Sequence, residues 1–399
     1  MEVISEQGAM TGKRVLMVAA CPFPARRGTP VRIERMAEAL SSIGHEVHVA
    51  TYHLGESVGP SGCRLHRIRK IGIYKDTGPG PSWRKLLLAD PLLAAKVLSV
   101  ARSARPHLIH AHHFEGVLAA LPTARLLRIP LILDAHVLLE GELQYYRLGL
   151  PAPFTRFVSW LLDGALPRAC SHVVAISPEI RDRLVGAHGL APDAVTVVPN
   201  GVERPFFDGQ PGIFPVGSGP RLVFAGNLAA YQGISHLLEA LPHVVRDLPG
   251  ARLVMVTEDD ASGFLADARA AGVAGNVEVL PASLSRLPDI LASADVLLNP
   301  RTECPGVPLK LLNYMASGRP IVSFDGSSRY LVDGQSGIIV SNGDIGAFAA
   351  GIVRAVTETA WSSAIGAAAR DYAHSYLSWE AVGSALNTLY GRLAPVPSA

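Results

Sequence analysis

The feature that most narrows what this chain can fold into is a pattern that occurs twice. Residues 14–20 (Arg-Val-Leu-Met-Val-Ala-Ala) form a short, almost wholly apolar run that breaks into a loop with three prolines, after which Ile33, Met36, Ala37 and Leu40 recur at helical spacing up to Gly44. Residues 221–226 (Arg-Leu-Val-Phe-Ala-Gly) repeat the run. A loop follows to Gly233, and Ile234, Leu237, Leu238 and Leu241 share one helical face. A strand without polar alternation is buried on both sides, which points to a parallel strand covered by helices. Strand, loop, helix and next strand in that order build a doubly wound α/β sheet, which holds ligands at the carboxyl ends of its strands.

Further strands fit the same plan. Residues 46–52, 107–113, 131–136, 173–177 and 195–198 extend the first set, and 252–257, 277–280, 295–299 and 321–324 the second. Between the sets, residues 203–220 hold four prolines and four glycines, the composition of a linker. The expected organisation is a loose tail over 1–12, a first domain over 13–203, a second over 204–377 and a closing helical segment over 378–399. At 399 residues, two domains are the natural count.

Several function classes lose support. A net charge of +2 gives no global reason to bind nucleic acid. Cys21, Cys63, Cys170 and Cys304 form no CxxC pair, as expected of reduced thiols in a cytoplasmic protein. No apolar run reaches the roughly 18 residues of a membrane span. Lys13-Arg14 and the run up to Cys21 imitate a secretory signal, but the run is short and Glu2 and Glu6 precede it, so it reads as a strand. Neither GxGxxG nor a P-loop follows the first strand, against dehydrogenase and ATPase chemistry.

Polar residues gather where strands end. Thr29 fits an N-cap with Pro30 at the first helical position. His107, His110, His112 and His113 lie close together and His136 ends a later strand. Their spacing matches no zinc signature and Glu115 and Asp134 stand in no fixed relation to them, so no metal is expected. Residues 64–85 carry seven cations against Asp76, and 86–100 are largely apolar. This pairing suits either loose docking on an anionic membrane or a solvated loop before a surface helix.

Residues 300–339 are the most informative stretch. Pro308 suits a first helical turn, Gly318 the left-handed position after a helix, and Pro320 a stop. Leu309, Leu312 and Ala316 are expected to share the core face, with Lys310 and Asn313 on another. A lysine in a first turn opposes the helix dipole unless an anion binds there.

Residues 308–320 (Pro-Leu-Lys-Leu-Leu-Asn-Tyr-Met-Ala-Ser-Gly-Arg-Pro) resemble the donor-site segment of family 4 glycosyltransferases, and Pro199-Asn200-Gly201-Val202 resembles the turn closing their first domain. The resemblance runs from Arg14 to Leu393. It implies the GT-B fold, two Rossmann-like domains facing a cleft, with a last helix over 379–393 crossing back to the first domain. It implies a retaining transferase using a nucleotide-diphosphate sugar, UDP or GDP, and a glycan or lipid-linked acceptor. No cofactor or metal is needed, and loose attachment at the inner membrane face is compatible with it. By the same resemblance His136 and Lys310 belong to the catalytic centre. Gly28, Gly226, Asn227, Gln232, Glu303, Gly306, Val307, Pro308 and Asn313 fall on the donor side, and Thr29, His110, His112 and His113 on the acceptor side.

The chain departs from that pattern at charged positions. Asn227 and Gln232 stand where relatives carry the arginine and lysine that contact the diphosphate, and Asn313 stands where a glutamate binds ribose. The partner glutamate falls at Pro305, with Glu303 two residues earlier, and Tyr330 replaces another. Lys310, Arg301 or Arg319 would then have to supply the missing charge. The alternative is a catalytically silent protein on the same fold that binds nucleotide sugars or regulates.

Overall fold

A computed structural model describes residues 12–395 apart from 26–27, 57–58, 76–81, 83, 143–150, 216, 218, 284 and 305. The tail 1–11 and Pro305 therefore lie outside the described residues. By internal contacts the chain forms two units, residues 1–200 with 382–399, and residues 201–381.

The first unit holds β1 (Arg14–Ala19), β2 (Glu46–Thr51), β3 (Cys63–Arg67), β4 (Leu108–His112), β5 (Leu131–Ala135), β6 (His172–Ala175) and β7 (Val195–Val197). They run in the order β3-β2-β1-β4-β5-β6-β7, every pair parallel. Val15 to Ala19 are fully buried, each of the larger side chains contributing about 1.5–3 kcal/mol. That is why the run shows no alternation. The strand order reverses between β1 and β4, which places a ligand crevice at the ends of those two strands.

The second unit repeats the plan with β8 (Arg221–Ala225), β9 (Arg252–Thr257), β10 (Val277–Pro281), β11 (Val296–Asn299), β12 (Ile321–Phe324) and β13 (Ile338–Val340), in the order β10-β9-β8-β11-β12-β13. Its order reverses between β8 and β11. The glycine- and proline-rich stretch after Val202 is not a free linker. Phe206 and Phe207 are buried in the second core, Arg370 donates to the Phe207 carbonyl at 2.6 Å, and Ser293 Oγ accepts from the backbone of Gly212 and Ile213.

Three sequence expectations change here. The basic stretch 64–85 begins inside β3, where Arg64 pairs with Glu46 at 2.9 Å and Arg67 donates to the carbonyls of Phe23 and Glu56. Lys85 is buried, and the exposed cations among its described residues are Arg69, Lys70, Lys75 and Arg84 besides the paired Arg64. The helix after β1 spans Gly28–Ser42, so Thr29 lies within it rather than capping it.

Candidate functional sites

In the first unit, period-two alternation brings the chemistry to one face of the sheet. His110 and His112 flank Ala111 on β4, and His112 lies directly opposite Asp134 on β5. Asp134 and His136 are likewise two apart and share that face. Asp134 is fully buried. Its two oxygens accept Arg32 Nε at 3.0 Å and Nη2 at 3.1 Å. Arg32, 3% exposed, comes from the helix after β1 and also donates to the carbonyls of Val198 (2.9 Å) and Pro199 (2.8 Å) and to Asn200 Oδ1 (3.1 Å). The Pro199-Asn200 turn is thus an acceptor cradle for one guanidinium.

Three imidazoles converge on Asp134 Oδ2: His112 Nδ1 at 3.0 Å, His136 Nε2 at 3.3 Å and His110 Nε2 at 3.7 Å. Tyr390 Oη meets His110 Nδ1 at 2.6 Å. Thr29 Oγ1 lies 2.7 Å from His113 Nε2 and 3.4 Å from His136 Nδ1, and the His113 and His136 rings stack at 4.3 Å. His113 has φ 58°, a strained conformation for a residue with a side chain, and such strain concentrates at functional sites. Burial pushes His110, His113 and His136 toward neutrality, His110 down to about 3 and His136 to about 4. Burial disfavours the Asp134 carboxylate, but Arg32 and then His136 overcome it and hold it well below the usual range.

Asp134, unplaced by sequence reasoning, is therefore the hub of the histidines. Donor atoms of His110, His112 and Asp134 lie within 4.8 Å of one another. A guanidinium fixed on both carboxylate oxygens works against a cation there, and the geometry fits an ion-paired polar network better than a metal centre.

In the second unit the helix Leu309–Ser317 starts one residue later than expected, with Pro308 as its N-cap. Leu311, Leu312, Met315 and Ala316 form the core face, whereas Leu309 is 57% exposed. The Tyr314 hydroxyl accepts from Ala225 N at 2.7 Å, tying this helix to the end of β8 just before Gly226. Lys310 Nζ donates to Gln232 Oε1 at 2.6 Å and lies 4.0 Å from the centre of the Phe224 ring. A side chain at Gly226, where φ is +154°, would begin 3.6 Å from that ammonium.

No carboxylate pairs with Lys310 among the described residues. Burial, and then the charge of Arg301, lowers it to about 7. Arg301 lies over the Tyr231 ring at 4.9 Å, and Tyr231 Oη accepts from Asn227 Nδ2 at 2.8 Å. Gly226, Asn227, Gln232, Arg301 and Lys310 thus share one place. Asn313 is half-buried one turn beyond Lys310, Val307 and Gly306 precede the helix, and Glu303 is exposed. Arg319 stands beyond the far end of the helix, whose last residue Ser317 lies about 10 Å along the axis from Lys310, so it is placed away from the Lys310 end. Buried Asn299, unremarked in the sequence, donates to Ser323 and Ser327, and Ser327 Oγ holds the Arg301 carbonyl.

Two successive Rossmann-like units with wholly parallel sheets make this a GT-B protein. The HepE protein of Anabaena, solved in complex with UDP, has this fold: TM-score 0.68 over 96% of this chain and 100% of that one, at 15% identity. Residues 26–204 match the family described as Glycosyltransferase Family 4, and residues 219–358 match Glycosyl transferases group 1. Between them the matches take in most of both units, and the chain belongs to the family 4 glycosyltransferases. A glycogen synthase of Mycobacterium tuberculosis is 25% identical, covering 94% of each chain. A D-inositol 3-phosphate glycosyltransferase of Segniliparus rotundus is 28% identical, covering 92% of this chain and 86% of its own.

Proposed function

We propose that this protein is a retaining, metal-independent glycosyltransferase that uses a UDP- or GDP-sugar and delivers the sugar to a glycan or lipid-linked acceptor. The observation that carries the reading is Lys310. By the family resemblance Gln232 stands at the position of a diphosphate-binding lysine, and the Lys310 ammonium reaches Gln232 from a different element. Desolvated and with no carboxylate partner among the described residues, it suits an anion that arrives with the substrate. The first turn of the helix Leu309–Ser317 adds free backbone N–H groups beside it.

In this reading the bond from the anomeric carbon to the diphosphate breaks while the acceptor oxygen bonds to the same face of the sugar. The acceptor proton passes to the leaving phosphate. Negative charge grows on the diphosphate, and Lys310 and the helix N–H groups stabilise it more in the transition state than before. Asn313 hydrogen-bonds the ribose, and His136 lines the sugar. The UDP in the HepE complex favours a UDP-sugar as the first donor to try.

Among the described residues no helix is long and apolar enough to cross a membrane. Arg69, Lys70, Lys75 and Arg84, together with exposed Ile73, Leu86 and Leu87, supply what a lipid-linked acceptor would need: attachment to an anionic surface, at about 1 kcal/mol per cation.

Donor hydrolysis without acceptor, measured across UDP-, GDP- and ADP-sugars alongside calorimetric nucleotide binding, tests the proposal. One nucleotide should bind and its sugar should be released. Binding without turnover in the presence of candidate acceptors would leave the silent alternative, and no binding at all would remove the donor site.

A further inference from the structure

The Asp134 network does more than neutralise a buried charge. His136 lies 3.3 Å through Nε2 from a carboxylate clamped by a bidentate guanidinium, and 3.2 Å from His112 Nδ1. A neutral imidazole has one N–H to place. His112 Nδ1 is nearer to Asp134, at 3.0 Å, so its proton goes to the carboxylate rather than to His136. A hydrogen bond to a charged acceptor is roughly twice as strong as one to a neutral acceptor. The His136 proton is therefore drawn to Nε2 as well. Its Nδ1 then carries a bare lone pair, facing Thr29 Oγ1 at a long 3.4 Å while Thr29 is engaged at 2.7 Å with His113.

We propose that Asp134, clamped by Arg32, is a positioning residue that fixes the His136 proton on Nε2 and so presents Nδ1 as the acceptor for a hydroxyl group of the substrate. Arg32 is part of the device because it removes the alternative of a protonated, donating carboxyl at Asp134. The proposal rests on the reading that His136 lines the sugar. The hydroxyl belongs either to the transferred sugar or to the acceptor.

The wild-type protein provides the first test. Nitrogen-15 NMR of the histidine rings, with His136 assigned from the spectrum of His136→Gln, should show a protonated Nε2 and a bare Nδ1. A proton on Nδ1 would overturn the proposal whatever the kinetics show. The second test is a cycle of Asp134→Asn, His136→Ala and the double variant, read with UDP-glucose as donor. If Asp134 acts through His136, Asp134→Asn should lower kcat/KM about tenfold or more alone and change it little in the His136→Ala background. Equal losses in both backgrounds would make Asp134 structural only.

A loss already present in acceptor-free hydrolysis of UDP-glucose places the hydroxyl on the donor sugar, and a loss confined to transfer places it on the acceptor. Wild-type turnover by His136→Ala, with the Nε2 proton in place, would sink the sugar-lining role and leave the tautomer assignment standing.

Discussion

In the first unit Asp134 is met by a bidentate guanidinium and several imidazoles, whereas in the second Lys310 has an amide oxygen and the face of a phenyl ring. Asp134 lies on β5, one strand from the reversal of its sheet, and Lys310 follows β11, at the reversal of its own. The carboxylate is compensated within the fold, so its charge needs no partner from the substrate. The lysine is desolvated and meets no carboxylate among the described residues, so under the proposed function its counter-charge arrives with the substrate. A charge compensated internally sets geometry; a charge left open selects a ligand.

The largest expected effect breaks the closed side. Arg32→Met leaves Asp134 buried without its main partner and should cost about 3–5 kcal/mol, measured by chemical denaturation. Adding Asp134→Leu should restore much of that stability, since replacing a whole buried pair with apolar side chains is often neutral. A double variant no more stable than the single one would mean that packing rather than charge governs the site.

The open side should behave the other way. Lys310→Met should lower kcat/KM by roughly 10²–10³, about 2.7–4 kcal/mol of transition-state stabilisation, with stability unchanged or slightly raised. A parallel loss of stability would show that Lys310 is structural, and normal turnover would shift attention to Arg301. Since burial brings Lys310 to about 7, a diphosphate should raise it again, and binding at pH 8 should take up protons. Calorimetry in two buffers of different ionisation enthalpy reads that uptake; identical heats would argue against contact with the phosphates.

The histidines sharpen the contrast through pH. Unfolded imidazoles gain protons below about 6.5, but native His136 does so only near 4 and His110 near 3. In that window the unfolded state holds more protons, so stability falls as pH falls, by up to about 1.4 kcal/mol per pH unit for each such histidine. Asp134, held low, adds its own loss only as the pH falls into the ordinary carboxylate range, at the lower end of this window. Denaturation midpoints from pH 7 to 4 check this; a flat profile would mean that these rings are already charged in the native state. The smallest effect is Asn313→Ala, expected to weaken nucleotide binding by about tenfold, the worth of one neutral hydrogen bond.

Much of the fold was legible because buried parallel strands leave an unmistakable composition: β9 was read at its observed limits, and β1, β4, β5 and β8 within a residue or two. Edge strands carry a weaker signal. β3 has the composition of a basic loop, because four of its five residues are polar or Cys, and only pairing with β2 makes it a strand. The helices 113–127 and 152–169 leave little trace in the sequence, because small residues and internal prolines weaken their apolar periodicity.

At the sites, the Lys310 helix was found through its motif, but its neighbour Gln232 is 78 positions away and only folding brings the two together. The hub at Asp134 had a local signal after all. His-x-His on one strand and Asp-x-His at the end of the next share a face once the strands are paired, yet the 21 positions between them concealed it. Arg32 gave no such sign, because its partners come from β5 and the turn after β7.

Gly233 has a practical consequence for anyone wishing to redesign donor preference. It adopts φ +72°, and a β-carbon there would fall 2.1 Å from the Pro300 carbonyl oxygen. The loop that carries Asn227 and Gln232 thus touches, backbone to backbone, the one that leads to Arg301. A mutant library that varies both loops at once while leaving Gly233 and Pro300 alone keeps their common hinge point. One that substitutes Gly233 spends its diversity on chains whose two loops have been pushed apart before any sugar is tried.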